Sequence, residues 1–437
     1  MSFDDEIEFS MIPGRSKKHP HHIVRGRRNK FNVLKTGIIY GANASGKSNL
    51  IRAMAFAKDL IVNGTRPQRH IPINRFLLDK SCANKPAKFE FEFKIHGKYY
   101  AYGFELDAQR IHSEWLYEIS RSTEKVIFER TTTRDDKTTI EFGNIEFKGK
   151  KDKRFVEFTG MGTRYNQLFL TESVERGVKH FENIFSWFHR RLTIIFPDTK
   201  FLGLEISIEQ EDDLIQYLLK LLQTFNTGIS DIGFEEIDFY NEMTDFPDET
   251  KAELVQELDA GDKTVVRAST NKRYLIYRDG DDEIKAFKLM TKHKMKGSDE
   301  EALLEISDES DGTQRLMELI PALIDLLKNE RIYIIDELDR SLHPRLSYKI
   351  LELFLNNKSQ QESQLIVTTH ESSLLDLKLL RRDEIWFVEK NRDGASNMYS
   401  LEEFAPRYDK DIRKGYLLGR FGAIPIVQDI SELGWIN

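Results

Sequence analysis

The stretch Gly41-Ala42-Asn43-Ala44-Ser45-Gly46-Lys47-Ser48 follows the apolar run 37–40 and precedes a run, 49–57, typical of a helix. Strand, glycine loop and helix together make the pattern G-x-x-x-x-G-K-[ST] a phosphate-binding loop. Its glycines let backbone N–H groups point at an anion, and the helix N-terminus adds partial positive charge. We expect Lys47 to reach the outer phosphates of a nucleotide and the Ser48 hydroxyl to bind Mg²⁺. The predicted nucleotide-binding residues are Gly41, Asn43, Ala44, Ser45, Gly46, Lys47, Ser48 and Asn49.

Composition places the chain among soluble globular proteins. Its 437 residues are enough for two or three domains' worth of core, with 40% hydrophobic and 31% charged residues. The net charge of −7 gives no overall attraction to nucleic acid, and the single cysteine, Cys82, excludes an intramolecular disulfide and a cysteine zinc site. No apolar run has the length of a membrane span, and the N-terminus lacks a signal-peptide pattern. We expect a cytoplasmic protein without a membrane partner.

The N-terminal region is basic. Residues 9–58 contain no Asp or Glu. This window is either a solvated loop that adds positive potential near the phosphates or a nucleic-acid contact. Before the apolar run 37–40, its cations are Arg15, Lys17, Lys18, Arg25, Arg27, Arg28, Lys30 and Lys35. His19, His21 and His22 lie in the same window without spaced cysteine or carboxylate partners, so we expect no metal site there.

The order of hydrophobic patterns suggests three regions. Alternating residues predict a strand at 6–12, a hairpin at 89–106 and further short strands up to 155–158. Helical spacing follows at 172–195 and 212–225, and an Asp-Gly turn at 279–282 predicts another hairpin rather than a metal site. The expected domains are 1–167, a β-rich lobe with the phosphate loop, 168–300, a helical insert with a hairpin, and 301–437, a second lobe of the nucleotide-binding domain.

Three later segments supply the partners that a phosphate loop needs. Ser310-Asp311-Gly312-Thr313 enters an amphipathic helix, which makes a second helix N-terminus available to an anion. The apolar run 332–335 ends in Asp336-Glu337, a pair suited to holding Mg²⁺ through Asp336 and to orienting or deprotonating water through Glu337. A second apolar run, 364–369, ends in His370, which could contact the γ-phosphate.

This order of motifs resembles the ABC-type ATPases of the SMC-like branch. Gly41 to Ser48 resembles Walker A, Ser310 to Thr313 the signature motif, and 332–337 Walker B. Leu338 to Pro344 resembles the D-loop, and His370 the switch histidine. Together with the run 419–425, these residues resemble small stand-alone ATPases related to the ATPase half of overcoming-lysogenisation-defect nucleases. The family's glutamine loop has only Gln68 as a candidate, and Asp311 replaces the small residue often found in the signature.

The resemblance implies an α/β fold: a P-loop NTPase head of ABC type with a β-rich N-terminal subdomain and a helical insert. It implies ATP as substrate, Mg²⁺ as cofactor, and Glu337 and His370 as catalytic residues. It also implies a homodimer, or a higher assembly, in which Ser310, Gly312 and Thr313 complete the site of the other subunit. Many relatives serve phage-defence operons, and only a short segment follows His370, so we expect a separate effector protein and, as a further partner, DNA or a phage component. The alternatives are a DNA-repair or maintenance ATPase and, disfavoured by the signature and the insert, a transporter subunit.

Overall fold

The computed structural model describes residues 2–26, 31–120, 122–201, 204–206, 212–259, 261–268, 272–357, 362–408 and 410–425. The chain forms two compact units, and each is built from several segments of sequence. The first comprises Met1–Phe196, Glu330–Leu338 and Glu362–Asn437, and the second comprises Pro197–Asn329 and Asp339–Gln361. Within the described ranges, no helix has both the length and the apolar composition needed to cross a membrane.

Strands are numbered here in chain order. They are β1 (Ile23–Val24), β2 (Val33–Leu34), β3 (Thr36–Tyr40), β4 (Ala87–Ile95), β5 (Lys98–Leu106), β6 (Ile111–Ile119), β7 (Glu124–Thr132), β8 (Thr138–Phe142), β9 (Leu192–Ile195), β10 (Ile229–Ile237), β11 (Lys263–Arg267), β12 (Arg273–Arg278), β13 (Ile284–Lys294), β14 (Glu301–Glu305), β15 (Ile332–Ile335), β16 (Gln364–Thr369), β17 (Ile385–Lys390) and β18 (Ser396–Ser400). The α-helices are Lys47–Asn63, Lys150–Gly162, Phe169–Glu175, Glu182–Ser186, Asp212–Thr224, Asp248–Glu257, Asp311–Lys328, Pro344–Leu355 and Ile412–Leu417.

A six-stranded sheet of order β18-β17-β3-β16-β15-β9 organises the first unit. All neighbouring strands in it are parallel except β17 and β18. Tyr40 pairs with Thr369, and Ile335 pairs with Val367. The carboxyl ends of β3, β16 and β15 therefore meet at one edge, where open α/β sheets bind ligands.

The β-rich part of the first unit is an antiparallel meander, β4-β5-β6-β7-β8. Its inward side chains share one core with the six-stranded sheet and with the helix Lys47–Asn63. Phe104, on the meander, and Ile51, on this helix, are both fully buried in that core. The helix that carries Lys47 is therefore held by packing along its length rather than by its capping residues alone.

The second unit is itself a mixture of sheet and helices. Its five-stranded sheet has the order β10-β13-β12-β11, with β14 paired to β13. The helix Asp212–Thr224 packs on the helix Asp311–Lys328, and Arg273 forms buried ion pairs with Glu205 and Glu318. The segment predicted as a helical insert thus contains a hairpin, as expected, and three more strands within 192–267. The predicted division at 167 and 300 stays a prediction.

Some local predictions are wrong. Residues 6–12 form no strand, and 155–158 lie in the helix Lys150–Gly162, in which Phe155 and Phe158 have the three-residue spacing of a helix. The helix predicted at 172–195 is interrupted at Gly177, whose φ is +79°, and ends before β9. The β-branched run Thr193-Ile194-Ile195 favours a strand, and pairing with β15 places it at the edge of the main sheet.

Candidate nucleotide-binding site

The loop from Gly41 to Gly46 curls at the carboxyl end of β3 and opens the helix Lys47–Asn63. Ala44 and Gly46 both have positive φ, +61° and +112°, and such alternation turns successive N–H groups into an anion-binding concavity. A Cβ at Gly46 would lie 2.4 Å from Ser396 Oγ, so the position requires glycine for space as well as for conformation. The hydroxyl of Ser396 in turn donates to Ser45 O at 2.6 Å. Ser396, the first residue of β18, therefore holds the loop in place.

Lys47 is buried, with 4% of its surface exposed. Its ammonium donates to Gly41 O at 2.8 Å and to Ala42 O at 3.1 Å, and it lies 3.4 Å from Nδ1 of His370. A lysine ammonium has no acceptor, so a hydrogen bond in this contact requires that Nδ1 of His370 accepts and that the ring proton is on Nε2. The predicted phosphate-binding lysine and the predicted switch histidine are thus in direct contact, although 323 residues separate them.

The acidic pair is organised by a single hydroxyl group. Thr368 Oγ1 donates to Oδ1 of Asp336 at 2.6 Å and accepts from the backbone N–H of Glu337 at 2.8 Å. Asp336 is 2% exposed, whereas Glu337 is partly exposed and has φ of +52°. A non-glycine residue in the left-handed region costs free energy and is concentrated at functional sites. The threonine therefore fixes the position of both carboxylate-bearing residues.

These groups suit a nucleotide and a divalent cation. Ser45 Oγ is buried and has no hydrogen-bond partner among the described residues, which suits a loop whose ligand is an anion. Asp336 and Ser48 offer a carboxylate and a hydroxyl, the hard oxygen donors that Mg²⁺ prefers. Asn43 and Ala44 are exposed on the loop. The Asn49 amide donates to Ser2 Oγ and accepts from Arg52, so its predicted nucleotide contact stays a prediction.

The predicted signature turn lies in the second unit. Ser310 is the N-cap of the helix Asp311–Lys328, and its hydroxyl oxygen accepts from the Thr313 N–H at 3.2 Å. A Cβ at Gly312 would lie 2.9 Å from the backbone oxygen of Ser341, which belongs to the predicted D-loop. The signature turn and the D-loop therefore approach each other so closely that only glycine fits.

Gln68 does not fit the glutamine loop. It is exposed and comes five residues after the end of the helix that begins at Lys47. A helix of 17 residues is about 25 Å long, whereas five extended residues span at most about 18 Å. Gln68 therefore cannot return to the phosphate loop.

Sequence reasoning missed the residues that support the site. Thr368 had a local signal, because a hydroxyl two residues before His370 lies at the carboxyl end of a buried strand. Ser396 and Ser2 had none, since their contacts with the loop join distant parts of the sequence.

The C-terminal run 419–425 has a packing role in the first unit. The Tyr399 hydroxyl donates to Phe421 O at 2.9 Å, and the Phe421 ring stacks on Phe387 of β17. In the basic window, Arg15, Lys17, Lys18 and Arg25 are exposed, whereas Lys35 is partly buried. Arg27, Arg28 and Lys30 lie outside the described residues.

The chain is similar to several solved structures at low identity. The SMC head bound to the C-winged helix domain of ScpA shares 15% identity, with coverage of 86% of this chain and 94% of that chain and a TM-score of 0.35. The SMC head domain from Thermotoga maritima shares 12% identity, with coverage of 87% of this chain and 95% of that chain and a TM-score of 0.32. The Pyrococcus furiosus Smc head domain with an extended coiled coil, bound to the C-terminal domain of ScpA, shares 14% identity. The match covers 86% of this chain and 93% of that chain, with a TM-score of 0.31. No curated protein matches the chain.

A family model described as "AAA domain, putative AbiEii toxin, Type IV TA system" matches residues 38–376. The matched segment runs from β3 past His370 and so contains the phosphate loop, the Ser310 turn, the Asp336-Glu337 pair and the histidine. The match covers well over half of the chain. The main sheet of the chain carries the phosphate loop at the edge where α/β domains bind nucleotides. The chain therefore belongs to this family of AAA-domain P-loop ATPases.

Proposed function

We propose that this protein is a cytoplasmic ATPase that hydrolyses ATP in a Mg²⁺-dependent reaction and uses the nucleotide to control a separate effector protein. The observation that carries the proposal is the convergence of Lys47, the Asp336-Glu337 pair and His370 at the carboxyl edge of three neighbouring parallel strands. The three groups belong to segments far apart in sequence, and each has the chemistry that phosphoryl transfer to water requires.

Lys47 and His370 form the phosphate-responsive part of the site. Two donors of the ammonium are directed to carbonyls of the loop, and Nδ1 of His370 is a longer contact at 3.4 Å. A phosphate oxygen is a stronger acceptor than an imidazole nitrogen, because the hydrogen bond is then assisted by charge on both partners. ATP binding would therefore displace His370 from Lys47, and the imidazole would donate from a ring nitrogen to the γ-phosphate.

Glu337 is the proposed general base. Its backbone is anchored by the hydroxyl of Thr368, and its partly exposed carboxylate lies where water can reach it. It would orient the attacking water and accept its proton. Mg²⁺, held by Asp336 and Ser48, would neutralise the charge of the phosphates.

The signature residues are proposed to act in a second subunit. Ser310, Gly312 and Thr313 form a helix N-terminus, which suits binding of a γ-phosphate. The resemblance to ABC-type ATPases supports a homodimer in which this turn completes the site of the partner. Loss of one donor to developing charge costs about 3–4 kcal/mol in comparable sites, so substitution of Ser310 should slow hydrolysis strongly.

Control of an effector in anti-phage defence is the finer part of the proposal. It is supported by the resemblance to ATPases of phage-defence operons and by the family description, which names an AbiEii toxin and a type IV toxin–antitoxin system. DNA maintenance is the alternative, and the exposed cations Arg15, Lys17, Lys18 and Arg25 favour it.

Removing the Thr368 hydroxyl should slow hydrolysis while ATP binding is retained. In Thr368→Val, Asp336 and the Glu337 N–H lose their shared partner, and we expect kcat to fall roughly 10- to 100-fold, within the range of positioning effects. The matched control is Thr36→Val, because the Thr36 hydroxyl is equally buried and donates to Leu365 O at the opposite end of the sheet. Equal ATPase rates for Thr368→Val and the wild type would refute this role.

Glu337→Gln should bind ATP and accumulate as a dimer. Removal of the base slows hydrolysis roughly 10²- to 10⁴-fold, so a nucleotide-bound sandwich would persist. Light scattering should then report about twice the chain mass of 51.2 kDa with ATP and the single mass with ADP. The double variant Lys47→Ala/Glu337→Gln is the control, and an ATP-independent mass in Glu337→Gln would count against ATP-driven assembly.

Mixing two inactive variants tests whether the signature acts in trans. Lys47→Ala lacks a phosphate clamp and Ser310→Arg lacks a signature, so a mixed dimer retains one complete site. Random pairing should restore about a quarter of the wild-type rate. The control mixes Lys47→Ala with Glu337→Gln, whose mixed dimers contain no complete site. If the first mixture is as inactive as the control, the signature does not work across subunits.

The effector proposal is tested by purification from the native host. We expect one protein to co-purify with Glu337→Gln in ATP and to be depleted with Lys47→Ala, as identified by mass spectrometry. If instead both variants retain the same proteins, and DNA stimulates hydrolysis by the wild type with a steep loss at higher salt, the DNA-maintenance function is favoured. Substituting Arg15, Lys17 and Lys18 by Ala should then abolish the stimulation.

A further inference from the structure

The fold brings together three histidines on which the sequence placed no function. His19, His21 and His22 each offer a ring nitrogen, and these three atoms lie within 4.8 Å of one another. Ligand atoms around a tetrahedral zinc, at about 2.1 Å from the metal, are roughly 3.4 Å apart. Small rotations of the side chains would therefore bring the three nitrogens onto one ion.

Two of the rings are already oriented by a polar partner on one of their nitrogens. Nδ1 of His22 lies 2.9 Å from Oε1 of Glu384, and Nε2 of His19 lies 2.9 Å from the backbone oxygen of Leu377. A metal-binding histidine almost always donates its second ring N–H to a carboxylate or a backbone carbonyl, which fixes the tautomer. The nitrogens left to bind a metal are then Nδ1 of His19 and Nε2 of His22. These supporting groups come from the end of the chain, which is why the sequence showed no partner.

The groups around the cluster are hydrogen-bonded or paired. His22 is buried, with 1% of its surface exposed, and its Nδ1 lies 2.9 Å from Oε1 of Glu384. The nearby Arg381 is itself paired with both oxygens of Asp383, at 2.8 and 2.6 Å, which offsets its repulsion of a cation. His21 is exposed and His22 is buried, so the cluster is open to solvent on one side.

We propose that His19, His21 and His22 bind a Zn²⁺ ion, with solvent in its fourth position. Three imidazoles are a borderline-soft nitrogen set that suits zinc among the abundant divalent cations, and Mg²⁺ would prefer oxygen donors. The bound ion would fasten the N-terminal segment to residues 377–384, which follow His370 in the chain. The site is separate from the proposed ATPase chemistry and does not depend on it.

The test uses the full-length protein without a polyhistidine tag, stripped of metal by a chelator and kept free of nucleotide. Zn²⁺ is titrated by calorimetry, and Co²⁺ is added as a spectroscopic probe of tetrahedral nitrogen coordination. We expect one Zn²⁺ per wild-type chain, a tetrahedral Co²⁺ absorption band, and a rise of the thermal midpoint with Zn²⁺.

The principal variant is the double substitution His19→Asn/His21→Ala. Asn tolerates the left-handed backbone of His19, whose φ is +48°, and His21 is exposed, so the variant should fold. Its affinity for Zn²⁺ should fall by more than tenfold, with loss of the Co²⁺ band and of the thermal shift. The matched control is His96→Asn, an exposed hairpin histidine with the same φ of +48°, which should behave as the wild type.

Glu384→Gln tests the orienting carboxylate and leaves the three ligands in place. We expect roughly 10- to 100-fold weaker Zn²⁺ binding, as for other substitutions behind a metal ligand. The proposal is overturned if the wild type binds no Zn²⁺ below about 100 μM, a concentration well above that needed by zinc sites in proteins. It is also overturned if the double variant binds Zn²⁺ with the stoichiometry and affinity of the wild type.

Discussion

Parallel pairing of β3, β16 and β15 is the constraint on which the candidate site depends. The central strand β16 aligns Thr369 with Tyr40 on one side and Val367 with Ile335 on the other. The phosphate loop follows β3, His370 follows β16 and the acidic pair follows β15, so all three lie at the same edge of the sheet. A slip of one residue in the pairing of β15 with β16 would turn Asp336 to the opposite face of the sheet and break its contact with Thr368.

The acidic pair adds a local cost to this arrangement. Glu337 adopts φ of +52°, a conformation that costs of order 1–3 kcal/mol for a residue with a Cβ. The bond from its N–H to Thr368 Oγ1 and the bond from Leu338 N–H to Thr368 O hold the turn against relaxation. One threonine therefore donates to the buried carboxylate of Asp336 and stabilises the strained residue beside it. Strain of this kind is concentrated at functional sites.

Sequence reasoning succeeded where the determining interactions are local. The phosphate loop, the strand before Asp336 and the strand before His370 all combine an apolar run with a polar residue at its end, and the fold confirms each strand. It failed where distant pairing decides the outcome. Leu192–Ile195 continues a helical hydrophobic pattern, yet it becomes a strand because β15 offers an open edge. Ser396 and Glu384 support their sites from the far end of the chain, and no local pattern distinguishes them from ordinary surface residues.

The predicted D-loop is connected directly to the end of β15. Leu338 ends one segment of the first unit and Asp339 begins a segment of the second, so the proposed base, Glu337, immediately precedes the D-loop. Within the second unit, the backbone of Ser341 approaches Gly312 so closely that a Cβ would lie 2.9 Å from its oxygen. A shift of the D-loop toward Gly312 would therefore move the signature turn, because the two backbones have no space between them. The turn itself is already capped by the Ser310 hydroxyl and needs no ligand to keep its shape. In the proposed homodimer, the close contact between the D-loop and the preformed signature turn would allow a change at one nucleotide site to affect the other.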